Sequence, residues 1–300
     1  MKSLYENESL AKAYLKYRPV FPKEVAEVII NYMKYQLKDG NLSSTFDLSV
    51  DVGCGNGQGS SMFAPYFKNV VGVDASECQI KLAKEQNQFE NVEYLVGRAE
   101  ELPFQKMSVD LVTAAMSAHW FDLPSFFEEV SRVLKPGGCM AIFGYWIQSI
   151  ARVGDVETKQ MSTAFEQSVR LLRDLGSVSD LDEKFYKKMD LELVNGYRDL
   201  FKEIPFSLKE RVDHITIANT TTLSGICGFI SSIMGLGDLK TKQQKLNEIF
   251  GDVIQIDVEK FDVVQAVTKN MMKIWNSNDA NEKFEIVFNV YILLASPAND

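Results

Sequence analysis

A glycine-rich turn directly after an apolar run is the feature that most restricts how this chain can fold. Residues 50–59 read VDVGCGNGQG, and a helical pattern follows them. Glycine lets the backbone turn sharply and approach a ligand closely, and a helix that opens there offers free N–H groups. A dinucleotide fingerprint needs glycine at offsets 0, 2 and 5. Counted from Gly53 the last position is Gln58, and counted from Gly55 it is Ser60, so this loop does not match that fingerprint.

Strand and helix patterns alternate between residues 48 and 145, and this alternation predicts the fold class. The candidate strands are 48–52, 69–73, 92–96, 109–115 and 138–145. Most of these runs are almost continuously apolar, which is typical of strands buried on both faces of a parallel sheet. We therefore expect an α/β fold with a doubly wound, Rossmann-like, mostly parallel sheet of seven strands.

Segments outside this alternation complete the expected sheet. Residues 22–38 have the apolar spacing of an amphipathic helix, and 211–222 and 284–295 have the composition of strands. We expect one continuous domain in three parts. These are N-terminal helices with a ligand-binding core at 1–150, a mostly helical cap with one sheet strand at 151–283, and an antiparallel last strand that returns to the sheet at 284–300.

Charge and composition argue against several functional classes. The chain has 32 Lys and Arg against 41 Asp and Glu, and this acidic balance disfavours a nucleic-acid partner. Two histidines, His119 and His214, and four separated cysteines form no zinc pattern, so we expect no metal. The longest apolar run, 286–295, falls short of the ~20 residues of a membrane helix. We expect a cytoplasmic protein with no membrane partner.

Five motifs in order over residues 10–146 resemble class I S-adenosylmethionine-dependent methyltransferases. The motifs are Asp51, Gly53, Gly55 and Gly57 as acid-x-Gly-x-Gly-x-Gly, Asp74 after the second strand, 97–104 (GRAEELPF), the fourth strand 109–115, and 135–138 (KPGG). The resemblance implies S-adenosylmethionine as cofactor, S-adenosylhomocysteine as product, and a helical substrate cap before the last strand.

The resemblance also implies roles for individual residues. Asp51 or nearby carbonyls would meet the methionine ammonium, and Asp74 would accept hydrogen bonds from both ribose hydroxyls, a role compatible with capping the next helix. Glu100 would accept from the adenine amino group, or remain a solvated loop residue. The other expected cofactor contacts are Gly53, Cys54, Gly55, Gly57, Ala75, Ala99 and Ala115.

Two further segments resemble trans-aconitate methyltransferase-like enzymes that act on small molecules. In 14–22 (YLKYRPVFP), Arg18 would pair with the methionine carboxylate, and Tyr17 would either face the sulfonium or pack the N-terminal helix on the core. In 118–122 (AHWFD), His119 is the candidate catalytic residue. It could orient a substrate oxygen, accept a proton, or make only a structural hydrogen bond. Residues 223–236 lack the arginine-containing run of fungal members, so the sequence does not specify the acceptor.

The predicted function is methyl transfer to a small-molecule acceptor, a carboxylate or another oxygen, sulfur or nitrogen nucleophile, by in-line displacement. Alternatives are a methyltransferase that acts on protein or RNA, and a non-catalytic protein that binds S-adenosylmethionine. A nicotinamide oxidoreductase has the same layer order, but the glycine offsets disfavour it. The sequence does not specify the oligomeric state.

Overall fold

The computed structural model describes residues 16–37, 45–154, 195–233, 268–269, 271–273 and 275–297. Within these ranges seven strands form a single sheet. They are β1 (Phe46–Val52), β2 (Phe67–Asp74), β3 (Val92–Val96), β4 (Val109–Ala115), β5 (Leu134–Arg152), β6 (Leu208–Thr222) and β7 (Lys283–Ser296).

The strand order in the sheet is β3-β2-β1-β4-β5-β7-β6. Neighbours among β1 to β5 pair in parallel, whereas β7 pairs antiparallel with both β5 and β6. The predicted fold, mostly parallel and with an antiparallel last strand, is confirmed. The chain changes its winding direction between β1 and β4, and in such sheets ligands bind in the crevice at the carboxyl ends of the strands beside that point.

Helices cover both faces of the sheet. They are α1 (Lys23–Gln36), α2 (Gln58–Ser61), α3 (Glu77–Gln86), α4 (Leu123–Val133), α5 (Arg198–Glu203) and α6 (Leu223–Ile233), with a 3-10 turn at Ala118–Trp120. Successive residues of a strand face opposite sides, and the neighbours Phe143 and Ile142 of β5 belong to two separate apolar clusters. The Phe143 cluster includes buried residues of α1 and α6, and the Ile142 cluster includes those of α4.

The last part of the sheet is longer than the sequence predicted. The fifth strand was expected at 138–145, but β5 runs from Leu134 to Arg152 and stays paired with β7 as far as Phe284. The sequence beyond Tyr145 does not alternate cleanly, because the pairing shifts register between Ile147 and Ser149. The three strands β5, β7 and β6 therefore continue past the end of β4, where Ala115 pairs with Phe143.

Other expectations for the second half can be compared only in part. The strand expected at 211–222 is β6, which begins at Leu208, and the glycine-containing segment from residue 223 forms α6. The helical patterns at 155–190 and 238–250, and most of that at 262–276, lie outside the described residues. The division of the chain at residues 150 and 283 therefore stays a prediction.

Candidate active site

The glycine loop lies at the carboxyl ends of β1 and β2. The N–H groups of Gly53 and Cys54 donate to the carbonyl of Val73, at 2.7 and 3.1 Å, and so fasten the loop to the end of β2. Gly53, Gly55 and Gly57 have φ values of +66°, +55° and +88°. Other residues rarely adopt this left-handed region, so the three glycines make the turn possible.

The surroundings of these glycines show which side of the loop is open. A Cβ on Gly53 would lie 2.5 Å from that of Ser117, and a Cβ on Gly57 would lie 2.6 Å from Cζ of Tyr94. A Cβ on Gly55 would meet only Oε1 of Gln79, at 3.9 Å. The backbone at Gly55 therefore borders open space, which a ligand could use to approach it closely.

Two buried polar atoms at this loop also fit a ligand. Within the described part of the chain, Oε1 of Gln79 and Nδ2 of Asn56 are buried and have no hydrogen-bond partner. Because buried polar atoms in folded proteins almost always have partners, these two point to a ligand that carries complementary groups. Gln79 was not singled out in the sequence, where a glutamine in a helix has no distinctive pattern.

Asp51 is fully buried beneath the loop. Its Oδ2 accepts from the Ser60 hydroxyl at 2.7 Å, and its Oδ1 accepts from the Thr113 hydroxyl at 2.8 Å. Burial raises the pKa of Asp51 to about 6, and the negative charge of Asp74 contributes in the same direction. Both oxygens already bind protein donors, so Asp51 ties α2 and β4 to the loop. Its contact with the methionine ammonium stays a prediction.

Asp74, at the end of β2, holds the loop from the other side. Its Oδ2 accepts from the Gly55 N–H at 2.9 Å and its Oδ1 from the Ser76 N–H at 2.8 Å. The side-chain cap of α3 is Ser76, whose hydroxyl accepts from the Gln79 N–H, so the capping role considered for Asp74 falls to its neighbour. Each oxygen of Asp74 retains a second lone pair, which a ribose hydroxyl could use. Burial raises its pKa, and Ala75 beside it is exposed.

The loop after β3 is fixed by ion pairs and by backbone contacts. Glu100 accepts from the backbone N–H of Asp122 at 3.1 Å through Oε1, and pairs with Arg98 at 3.3 Å through Oε2. Arg132 donates to the carbonyls of Leu102 and Phe104, at 2.9 and 2.8 Å. This network places buried Ala99 and Glu100 beside the turn that follows β4. The predicted contact of Glu100 with adenine stays a prediction.

The turn after β4 carries His119. Past Ala115 the hydroxyl of Ser117 donates to the carbonyl of Val52 at 2.9 Å, which joins this turn to the end of β1. His119 lies in the 3-10 turn, and its Nδ1 is 2.5 Å from the hydroxyl of Tyr197. Burial, and then the positive charge of Arg18, lower the pKa of His119 to about 3. Its imidazole is therefore neutral near pH 7.

Tyr197 is a further site residue that no sequence pattern indicated. It is fully buried and lies just before α5, in a segment without a recognisable motif. It comes next to His119 only because the chain returns to the sheet after a separation of 78 residues. A single buried tyrosine in a cap region has no pattern that distinguishes it from an ordinary core residue.

The N-terminal segment packs against α6. Arg18 donates from Nε to the Ser232 hydroxyl at 3.1 Å and from Nη2 to the Ser232 carbonyl at 3.2 Å, and its guanidinium lies 5.2 Å from the Phe229 ring centre. The ring of Tyr17 lies so close to Gly228 that a Cβ there would overlap it. Packing, one of the two roles considered for Tyr17, is thus observed. The contacts of Tyr17 and Arg18 with the cofactor stay predictions.

The described ranges also bear on metal binding and membrane association. These residues contain no group of three or more His, Cys, Asp or Glu side chains that could hold a metal ion. None of the helices in the same ranges is long and apolar enough to span a bilayer.

Comparisons with known proteins agree with this geometry. A protein-family model described as "Methyltransferase domain" matches residues 50–142, which include the loop and the ends of β1 to β4. A protein of Dictyostelium discoideum, provisionally named a methyltransferase, is 25% identical over 96% of this chain and 93% of its own length. CRG1 of Saccharomyces cerevisiae, named as a probable S-adenosylmethionine-dependent methyltransferase, is 31% identical over 49% of each chain.

A solved structure shares the fold. It is that of an Anaeromyxobacter dehalogenans protein provisionally described as a type II methyltransferase, with a TM-score of 0.58, 20% identity, and coverage of 94% of this chain and 100% of the other. The resemblance to trans-aconitate methyltransferase-like enzymes stays a prediction. The matched domain, the related sequences and the strand order together support a class I S-adenosylmethionine-dependent methyltransferase.

Proposed function

We propose that this chain transfers the methyl group of S-adenosylmethionine to a small-molecule acceptor. One observation carries the proposal, a cavity of about 190 Å³ beside the carboxyl end of the sheet. Its lining residues are Lys16, Tyr17, Arg18, Pro19, Asn219, Thr220, Thr221, Gly225, Ile226, Phe229, Ile286 and Phe288. Since a single water molecule needs roughly 10–15 Å³ of cavity volume measured in this way, such a space holds a metabolite-sized molecule.

The chemistry of the lining suits an amphipathic molecule with a negative or polar end. Phe229, Ile286 and Phe288 are buried and form an apolar surface. Lys16 and Arg18 supply positive charge, and no carboxylate occurs among the described lining residues. The apolar surface favours the body of an acceptor, and the cations favour an anionic group.

Contacts within the protein connect the cavity to the end of β4. The ring of Phe288 lies 5.3 Å from that of Tyr145, whose backbone N–H is 3.3 Å from Sδ of Met116. Met116 directly follows Ala115, the last residue of β4. The charge of Arg18 in the cavity wall lowers the pKa of His119, so these two groups also lie within electrostatic range. These contacts support a cavity that opens toward the predicted methyl position.

The residues that would hold the cofactor are those of the loop and its neighbours. In our proposal Asp74 binds the ribose, the backbone around Gly55 meets the methionine part, and residues 99–100 lie along the adenine. The bound cofactor supplies a methyl group already activated by a positive sulfur. The protein's contribution is then to hold the acceptor in line with that methyl group at contact distance and to exclude water.

A methyl-transfer assay with radiolabelled S-adenosylmethionine tests the proposal. Wild-type protein is offered panels of small carboxylates, thiols, amines and alcohols, and separately a protein extract and total RNA. We expect label to enter a small molecule only. Label in protein or RNA alone, or no transfer despite cofactor binding, would contradict the proposed acceptor class.

A matched pair of variants on β6 tests the cavity itself. Thr220 lines the cavity, whereas Thr216, four residues earlier on the same exposed face of β6, does not. Thr220→Trp should reduce small-molecule methylation by at least about tenfold without changing cofactor affinity, because the indole would block the cavity. Thr216→Trp should behave like wild type. Equal activity in the two variants would place the acceptor elsewhere.

A further inference from the structure

The pair formed by His119 and Tyr197 has a geometry that the methyltransferase assignment does not explain. The Tyr197 hydroxyl lies 2.5 Å from Nδ1 of His119. Tyr197 is fully buried and has a φ of +57°, a left-handed conformation that is unusual for a bulky side chain. Such a backbone persists only where the surrounding structure enforces it, and it often marks a functional position.

The surroundings of Tyr197 enforce its position from two strands. Its ring packs edge-on against Tyr291 of β7, with ring centres 5.1 Å apart. The carbonyl of the preceding Gly196 accepts from Nη1 of Arg211 in β6 at 2.6 Å. Arg211 is itself held by two hydrogen bonds to Asp213, at 2.7 and 2.6 Å. The Tyr197 hydroxyl is therefore a fixed group anchored in the sheet.

A fixed hydroxyl at this place selects the form of the neighbouring imidazole. In a neutral histidine one ring nitrogen carries the hydrogen and the other accepts. A phenol, with a pKa of about 10, is a far better donor than a neutral imidazole N–H, and the imidazole nitrogen, with a conjugate-acid pKa of about 6.5, is a far better acceptor than a phenol oxygen. The favoured bond is therefore O–H of Tyr197 to Nδ1 of His119.

We propose that Tyr197 is a positioning residue that holds His119 with its hydrogen on Nε2, so that the imidazole offers the acceptor molecule a hydrogen-bond donor and not a base. His119 is only half-buried, and its Nδ1 is held against the fully buried Tyr197, so we place Nε2 on the ring edge that faces the acceptor. The lowered pKa of His119 agrees with a neutral ring.

If the proposed function holds, this arrangement restricts the chemical class of the methyl acceptor. His119 held in this form does not act as the base for a hydroxyl, and the arrangement favours an acceptor that has no proton to lose, such as a carboxylate or a thiolate. For a carboxylate, one oxygen supplies the electron pair of the new bond to the methyl carbon, and the pair of the broken carbon–sulfur bond stays with sulfur. No proton moves, and Nε2–H can bind the second carboxylate oxygen.

Long-range proton–nitrogen NMR spectra near pH 7 test the tautomer directly, without any need for activity. The chain has only two histidines, and His214→Gln, at an exposed position of β6, assigns the remaining signals to His119. We expect an unprotonated Nδ1 and a protonated Nε2. A protonated Nδ1 would overturn the proposal.

Tyr197→Phe tests whether the hydroxyl is responsible. This change should produce a mixture of the two tautomers and lower the turnover by about tenfold, whereas Tyr35→Phe, which alters a ring that is 79% exposed, should change neither. An unaltered His119 spectrum in folded Tyr197→Phe would refute the positioning role. If wild type shows the expected tautomer but transfers no methyl group, the proposed function fails and the positioning inference stands.

Discussion

Alanine substitutions at Gly55 and Gly57 separate the ligand-facing side of the loop from its packed side. Both residues have positive φ, so alanine at either position should cost about 1 kcal/mol of folding stability. A Cβ on Gly55 has no neighbour closer than 3.9 Å, so Gly55→Ala should cause no further loss of stability through steric overlap. A Cβ on Gly57 would overlap Tyr94, a side chain only 3% exposed that cannot easily move, which adds roughly 1–3 kcal/mol.

Cofactor affinity should rank these variants in the opposite order to their stability loss. In Gly55→Ala the new methyl group occupies the open space in which we place the methionine part of the cofactor. We expect at least about a tenfold loss of affinity for S-adenosylmethionine in a protein that has lost only about 1 kcal/mol of stability. Gly57→Ala should lose about 2–4 kcal/mol of stability, yet the folded protein should bind S-adenosylmethionine more tightly than Gly55→Ala does.

Urea unfolding and isothermal titration calorimetry measure the two quantities on the same samples. Wild-type affinity in a folded Gly55→Ala protein would show that the open side of the loop is not the ligand side. If Gly57→Ala were no less stable than Gly55→Ala, the packing of Tyr94 against the loop would be described wrongly.

Three more substitutions test the carboxylates and the histidine. Asp74→Asn should weaken S-adenosylmethionine and S-adenosylhomocysteine equally in calorimetry, by about 10-fold or more, since both carry the same ribose; loss of only one ligand would exclude Asp74 as the ribose partner. The pKa of Asp51 is raised to about 6 in the folded state, so between about pH 4 and pH 6 the native protein holds a proton on Asp51 that the unfolded chain has lost. The free energy of unfolding should therefore fall by about 3 kcal/mol as the pH rises through this window. Asp51→Asn should remove that part of the decrease in urea titrations, and an unchanged pH dependence would contradict the buried charge. His119→Gln keeps an N–H donor, so turnover should fall less than about tenfold. The pH–rate profile between pH 5 and 8 should not change, because the pKa of His119 is already about 3. Loss of an acidic limb from this profile would instead show that His119 acts as a base.

The central strands of the sheet could be predicted because their burial is reflected in the composition of each short segment. Residues 109–115 and 138–145 are mostly apolar, which is typical of a strand covered on both faces. The position of the acidic residue at the end of β2 could be predicted from the same pattern, because the carboxyl ends of parallel strands meet at one edge of the sheet. Asp74 therefore lay where the sequence placed it, next to the glycine loop.

The roles of buried polar groups could not be predicted in the same way. Asp51 matches the motif position, but its hydrogen bonds to Ser60 and Thr113 depend on how α2 and β4 pack, which the motif does not encode. Ser76 caps α3 in place of Asp74 because α3 begins at Glu77, two residues later than a helix capped by Asp74 would begin. Which side chain caps a helix or bonds a buried carboxylate depends on the direction of the backbone at the preceding turn.

Long-range contacts in the second half were the least predictable. The extension of β5 to Arg152 is stabilised by pairing with β7, whose residues lie more than a hundred positions away in the chain. The bond between Tyr197 and His119 depends on the same return of the chain to the sheet. Neither leaves a local periodicity, because tertiary packing decides both.

A crystal structure of the chain with S-adenosylhomocysteine tests the central claim most directly. We expect both ribose hydroxyls within hydrogen-bond distance of the Asp74 carboxylate, the homocysteine part against the backbone at Gly55, and the sulfur directed toward the cavity bordered by Arg18 and Phe288. A ligand bound away from this loop, or one whose sulfur faces away from that cavity, would contradict the assignment of the cavity to the methyl acceptor.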